Sequence, residues 1–329
     1  MSLEPIGRGR NSQVFQLACA GDRRYVAKRY FHHRLDGRDR LAAEFSSVTF
    51  LWEHGIRSIP RPIRADAERG VAVYEAIDGR PVSPQDVTAD DIDEAVAFLG
   101  RLRALRTAPG SRAIGPASEA CFSLQDMVEI IERRLRWLSA SAQEDAPSQA
   151  LHAFLVQELV PAFHEITRRC RSACEESRVP FATVLAEEER TLSPSDFGFH
   201  NALRREERLV FLDFEYFGWD DPAKTACDVL LHPAMELSEE LKRCFVSRFL
   251  REFADDRGLA KRAEWMYPLC GLKWCTILLN EFVPQDLLRR GFARGVWEAR
   301  ERVQAEQLAK AMRMLHAITQ EHAHFPSPD

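Results

Sequence analysis

The chain has no block of basic residues, and its formal net charge is −5 over 329 residues. A nucleic-acid partner would need clustered Lys and Arg facing the phosphates, so that class is set aside. Short arginine groups do occur, Arg133 to Arg136 and Arg168 to Arg171, but they sit in helical patterns interspersed with glutamate and read as solvated faces. No apolar run approaches the about 20 residues of a membrane span, and the opening MSLEPIGRGR has no apolar stretch of the secretory kind. The eight cysteines never fall at C-x-x-C spacing. Cys170 and Cys174 share a helix face, but no histidine follows at ligand spacing, so neither zinc nor a redox motif is expected. Most of the cysteines have apolar neighbours and read as reduced core residues, which with the missing leader points to the cytoplasm. There is no Walker A sequence, no internal repeat and no low-complexity segment. What remains is a soluble globular composition, 45% hydrophobic and 29% charged, on a chain long enough for two domains or one bilobed one.

The informative stretch runs from Leu192 to Pro222, LSPSDFGFHNALRREERLVFLDFEYFGWDDP. Asp196 follows a Ser-Pro-Ser lead-in, which is turn chemistry, and Asn201 ends the same loop. ALRR and LVFLDF then read as two short strands around the charged turn REER, with Asp213 at the end of the second. A loop followed by a hairpin can bring a carboxylate, an amide and a second carboxylate to one edge. Phosphoryl transfer uses that set: one carboxylate to orient a hydroxyl and accept its proton, and an amide with a carboxylate to hold Mg2+.

Upstream, Gly7, Gly9, Asn11 and Ser12 precede two β-rich runs, Gln13 to Ala20 and Arg24 to Tyr30, joined by a Gly-Asp turn. Glycines ahead of a strand let backbone N–H groups approach a phosphate. No helix follows them directly, so neither a P-loop nor a dinucleotide-binding turn fits. Lys28 lies on the second strand, and Glu44 lies in LAAEFSSVTFLWEHG, whose apolar spacing is helical; Glu53 is the competing acid. A strand lysine held by a glutamate on the next helix is the kinase arrangement. Two more strands, Arg61 to Arg64 and Val71 to Ala76, flank AERG.

From Val87 onward the pattern is helical. One helix starts at a Thr88 or Asp90 cap and a second at Ser123; a longer third is kinked or divided by Pro161. The region from about Phe122 to Glu176 reads as a helical insertion ahead of the Asp196 loop. Further helices follow Pro222, including an apolar one beginning near Met266. Its Lys273, Asn280 and Glu281 read as solvent-facing, against the alternative that they line a cleft. Asp228 reads as a helix-start residue or, equally, as what a family resemblance implies, a brace for the Asp213 loop. His200 reads as a packing or backbone-bonding residue, and no histidine pair has helical metal spacing.

The D-x4-N pattern of Asp196 and Asn201, with a strand ending in Asp213 and the continuation D-x-E-Y-x-G-W-x-D-P, resembles the protein-kinase-like small-molecule phosphotransferases. That group includes the aminoglycoside phosphotransferases and the choline, ethanolamine, homoserine and methylthioribose kinases. The resemblance implies an α+β, bilobed protein-kinase-like fold. Residues 1–80 would form a small antiparallel β N-lobe with its linker, and 81–329 a larger, mainly helical C-lobe. It implies ATP or GTP as donor, covered by Gly7, Gly9 and Ser12, charge-neutralised by Lys28 and Glu44, and bonded at the base by the backbone of Glu75 and Ile77 in the linker. Mg2+ would lie on Asn201 and Asp213, with Asp196 orienting a small-molecule hydroxyl acceptor. The chain departs from the family at Pro194-Ser195, where His-Gly usually precedes the aspartate and the histidine braces the loop. The competing readings are a protein kinase, which the lack of A-P-E and of an activation segment disfavours, and a nucleotide-binding regulatory module without catalysis.

Overall fold

The computed structural model describes residues 2–8, 12–21, 23–31, 38–141, 145–283, 300–321 and 325–326. Gly9, Asn11, His32 and His33 lie outside them. The N-terminal part is a five-stranded antiparallel sheet in the order β1-β2-β3-β5-β4, built from β1 (Ser2–Arg8), β2 (Ser12–Cys19), β3 (Arg23–Tyr30), β4 (Pro62–Asp66) and β5 (Val71–Glu75). β2 and β3 match the two β-rich runs; β1 is a further strand that carries no alternation and was legible only as part of the glycine lead-in. β3 alternates so that Lys28 and Tyr30 are buried on one face while Arg29 is exposed. That face receives α1 (Arg40–Glu53), capped by the Asp39 side chain, whose oxygen accepts from Ala42 N–H at 2.9 Å. The buried stripe of α1 runs through Leu41, Glu44, Val48 and Leu51, one helical face. Glu44 therefore points at β3, and exposed Glu53 does not take its place.

The remainder is mainly helical. α2 (Ala89–Ala104) begins with a capping box in which Thr88 and Asp91 satisfy each other's backbone N–H groups. α3 (Leu124–Ala140) is capped by Ser123. α4 (Ala146–Phe154) runs through a π-helical turn at Leu155–Leu159 into α5 (Val160–Glu176), so Pro161 follows directly on a change of helical hydrogen-bond pattern that accommodates its missing N–H. α6 (Pro222–Leu231), α7 (Glu239–Glu252), α8 (Leu259–Leu278) and α9 (Arg300–His316) complete the chain. α8 starts at Leu259, about two turns before the apolar run that announces it, and carries Pro268 inside. The polar residues here are not solvent-facing: Lys273 of α8 is buried, as is Glu281 in the 3-10 turn Leu279–Phe282 that follows it, and Asn280 of that turn accepts from Arg134 at 3.1 Å. Their burial follows from α8 being wrapped by α3, α5, α6 and α9. Arg134 likewise turns inward from the arginine group read as solvated, while Arg168 and Arg169 stay exposed beside Glu165. All eight cysteines are free, and six of them are buried.

Two small sheets carry the central stretch. β6 (Arg80–Pro81), β8 (Ala202–Arg205) and β9 (Arg208–Phe211) form one, and β7 (Thr191–Ser193) pairs with β10 (Gly218–Asp220) in the other. The β8–β9 turn is Glu206-Glu207, both at positive φ, 47° and 61°, where Asn-Gly is usual. The hairpin is secured from α2: Asp91 takes both guanidinium nitrogens of buried Arg204 at 2.7 and 2.8 Å. An aromatic cluster ties the loops down as well. Phe98 of α2 stacks on Phe197 at 5.6 Å and meets Phe211 at 4.6 Å and Phe214 at 6.2 Å with tilted rings.

Gly218 permits the closest backbone approach in this region. A Cβ there would stand 2.4 Å from Ala117 N and 2.5 Å from Gly115 O, and neither backbone atom can rotate away. Gly218→Ala should therefore destabilise the protein by about 3 kcal/mol, the upper range of overpacking. Urea unfolding measures this, and a loss below about 1 kcal/mol would show that the strap at 115–117 moves freely.

Candidate active site

The register of the β8–β9 hairpin assembles the first three groups. Ala202 pairs with Phe211, so Asn201 and Leu212 are next to each other, and Leu212 N–H donates to Asn201 O at 2.8 Å. Asp213 follows immediately, at φ 65°, a left-handed conformation that Asp tolerates better than most residues. Asn201 Nδ2 donates to the Asp196 carbonyl at 2.9 Å, which leaves its side-chain oxygen available to a ligand. Ser195 is also left-handed, φ 66°, at the position where the resembling family writes glycine. Its hydroxyl donates to Ser118 O at 3.2 Å.

Lys28 reaches across from the N-terminal sheet. Its Nζ lies 2.7 Å from Glu44 and 2.7 Å from Asp213, with Glu215 at 3.9 Å. Burial alone would lower the Lys28 ammonium, but Asp213, Glu44 and Glu215 outweigh it and hold it well above its ordinary value. Glu44 accepts a second bond from Tyr30 OH at 2.8 Å, and that hydroxyl lies 2.9 Å from Tyr74 OH. The glutamate is thus held from β3 and, through Tyr74, from β5. The predicted lysine–glutamate pair and the Asp213 segment converge on one point.

Glu215 and Arg40 were not singled out in the sequence, although Glu215 is the second acid of the D-x-E pattern. Both are buried, 3.8 Å apart, and Arg38 donates to the Glu215 carbonyl. Carboxylate oxygens of Glu44, Asp213 and Glu215 all lie within 4.8 Å of one another. Lys28 Nζ lies among all three, so the cluster first neutralises that ammonium, and Asp213, the most exposed of the three acids, is the one placed to serve a hard divalent cation such as Mg2+. Burial and the Asp213 charge push the Glu215 carboxyl up to about 7, against the pull of Lys28. An unfolded-chain glutamate titrates near about 4.3. Between those values the folded state holds the proton and the unfolded chain does not. Without metal, stability should therefore fall as pH rises through this window, by up to roughly 3 kcal/mol. Denaturant melts at the two ends of the window check this, and Glu215→Gln should abolish that contribution; an unchanged difference in the mutant would refute it.

Asp196 stands at the opposite side of the same loop. Its Oδ1 is 3.3 Å from His200 Nε2 and 3.2 Å from His232 Nε2, the latter at the C-terminal end of α6. Burial would raise the Asp196 carboxyl, but the hydrogen bonds from His200 and His232 outweigh it and hold it well below the usual carboxylate range. His200 therefore bonds a side chain and not the backbone. His232 carries no local signal in the sequence beyond its place after a buried helix. Asp228 is neither a helix-start residue nor a brace on the Asp213 loop. It lies buried within α6, bonded by Lys273, by Trp274 Nε1 at 3.0 Å and by Lys224 at 3.1 Å, and ties α6 to α8.

The remaining predicted residues are spread more widely. Ser12 is buried at the start of β2, and Gly7 is paired with Val14 in β1. Glu75 closes β5, with its N–H on the Arg61 carbonyl at 2.9 Å, and Ile77 follows in the half-buried, irregular link to β6. Among the described residues no helix is long and apolar enough to cross a membrane.

The structure is similar to that of a choline kinase from Cryptosporidium parvum Iowa II, with a TM-score of 0.62 at 12% identity over 96% of this chain and 89% of that one. It is similar to the choline kinase LicA from Streptococcus pneumoniae, TM-score 0.58 and 14% identity over 96% and 94%. A spectinomycin phosphotransferase solved with ADP and spectinomycin gives 0.60 and 12% over 93% of each chain. At these identities the likeness is one of fold, and it confirms the α+β protein-kinase-like architecture. No curated protein sequence matches significantly. A family model described as "Phosphotransferase enzyme family" matches residues 2–265, most of the chain, and on that match the protein belongs to this family.

Proposed function

We propose that the protein transfers the γ-phosphate of ATP, or of GTP, to a hydroxyl of a small molecule. The observation that carries the reading is the convergence of Lys28, Glu44 and Asp213 at 2.7 Å contacts, with Asn201 and Asp196 placed on the adjoining loop. In this reading residues 1–80 form the nucleotide lobe and linker, and 81–329 carry the acceptor side. Gly7, Gly9 and Ser12 would cover the phosphates, and the backbone of Glu75 and Ile77 would meet the nucleobase. Lys28, kept charged and fixed by Glu44, neutralises the α and β phosphates.

Mg2+ would be held by Asn201 and Asp213, with Glu215 in reach, and when bound it neutralises triphosphate charge. Asp196 receives the acceptor O–H. The acceptor oxygen bonds to the γ-phosphorus as the bond to the β-bridging oxygen breaks, and the hydroxyl proton passes late to Asp196. A carboxylate of low basicity suffices, because positioning and electrostatics supply most of the acceleration in a loose transition state. On the acceptor side, Ser118 adjoins Ser195, and the next residue, Glu119, takes Arg134 at 2.8 and 2.9 Å. Such polar groups favour an acceptor rich in hydrogen-bonding functions, among them sugars, amino alcohols and aminoglycosides. Only residues 212–221, which include β10, separate β9 from α6, which leaves no activation segment of the protein-kinase kind.

Phosphorus NMR of ATP and Mg2+ with the protein and pooled acceptors of these three classes tests the reading. A new phosphate-ester signal, absent with Asp196→Asn, supports it. ATP left intact in every pool favours a regulatory nucleotide-binding module.

A further inference from the structure

Asp196 is gripped by two imidazoles stacked on each other. The rings of His200 and His232 lie 3.8 Å apart at 7°, and Trp274 closes edge-on against His232 at 4.5 Å and 80°. Gly198 makes room for the stack: a Cβ there would stand 2.8 Å from the His200 ring and 2.5 Å from Met235 Sδ. Trp274 is in turn held by Asp228 through its Nε1. The support for Asp196 therefore runs back through His232 and Trp274 into the buried contact of α6 with α8.

The tautomer of His232 is fixed by its own turn. Ala234 N–H donates to His232 Nδ1 at 3.1 Å, so Nδ1 carries the lone pair and Nε2 the proton. His232 is then an obligate donor to Asp196 Oδ1. The same fact argues against a cation among the three side chains, although their ligand atoms lie within 4.8 Å of one another. A neutral imidazole ligating through Nε2 would carry its proton on Nδ1, opposed to the Ala234 N–H.

We propose that His232 is a positioning residue for phosphoryl transfer: it holds Asp196 by Oδ1, leaving Oδ2 for the acceptor hydroxyl. This rests on the kinase reading of Asp196. It supplies from α6 the brace that Pro194, with no side-chain donor, does not provide ahead of the aspartate. His200 is the second donor, but it adjoins Asn201, so His232 gives the cleaner test.

The test uses the full chain with an acceptor from the phosphorus NMR pools. His232→Leu is expected to lower kcat about 100-fold, while the acceptor KM and the Mg–ATP Kd stay within about threefold of wild type. His232→Gln, which places an amide donor near the same oxygen, is expected to recover at least about tenfold of that loss. Equal kcat in the Leu and Gln variants would reduce His232 to packing and overturn the proposal. An arm independent of turnover is nitrogen-15 NMR of the histidine side chains in the wild type. The Nε2–H tautomer is expected at His232, with proton exchange at least about tenfold faster in Asp196→Ala. The Nδ1–H tautomer, or exchange indifferent to Asp196, overturns the clamp. The expected tautomer together with no transfer to any acceptor would instead overturn the kinase reading, and the two failures are thereby separable.

Discussion

Asp196→Asn should lower turnover about 1000-fold while leaving Mg–ATP affinity within a few-fold of wild type. Asp196 makes no contact with Lys28, Glu44 or Asp213; its side-chain partners are His200 and His232. The loss therefore belongs in kcat, measured by coupled ADP release, and not in the nucleotide Kd, measured by calorimetry. The choice of substitution matters, because Asn keeps an oxygen for both imidazole donors and removes only the charge and the proton acceptance. Asp196→Ala leaves two donors without their shared acceptor, at a stability cost of about 1–3 kcal/mol for each fully buried one. Asn should thus be inactive at near wild-type Tm, and Ala inactive and less stable. An Asn variant that retains a tenth or more of wild-type turnover would remove Asp196 from the chemistry.

Asp213→Ala should weaken Mg–ATP binding by at least about 100-fold, since loss of an outer partner of a bound metal already costs 10–100-fold. The backbone at Asp213 is left-handed, φ 65°, so Ala adds strain of its own. Asp213→Asn tolerates that conformation and separates charge from strain: most of the affinity should be lost in Asn too. The stability of the metal-free protein should move the other way or not at all. Removing Asp213 leaves Lys28 paired with Glu44 at 2.7 Å and relieves the repulsion that holds Glu215 up. Nucleotide titrations with and without Mg2+, beside thermal melts, make the comparison. Unchanged Mg–ATP affinity in both variants would sink the metal role.

Much of this arrangement was legible in the chain before any folding. The strand around Lys28 is visible as one of two β-rich runs joined by a Gly-Asp turn, and the helix around Glu44 because its apolar residues recur every three to four positions. Asp196, Asn201 and Asp213 are visible because a loop and a tight hairpin are local structures, whose geometry follows from residues a few positions apart. The Thr88 and Ser123 caps are local in the same sense. The choice of Glu44 over Glu53 stayed open in the sequence and was decided by packing, since only Glu44 lies on the buried stripe of α1.

What the tertiary structure decided is everything that depends on distant segments meeting. Lys273 and Glu281 read as solvent-facing because nothing in a helix shows how many neighbours will wrap it; four helices wrap α8 and bury Lys273, and α3 and α9 cover the turn after it that carries Glu281. Arg40 reaches Glu215 only because α1 docks over the loop after β9. Asp228 braces α6 against α8 because two of its partners, Lys273 and Trp274, come from a helix that follows much later. His232 reaches Asp196 only when the end of α6 folds back over the loop that Pro194 opens. Periodicity and turn chemistry are properties of one segment and survive in the bare sequence. A contact between segments is set by packing, and it exists only once the core that holds both of them has formed.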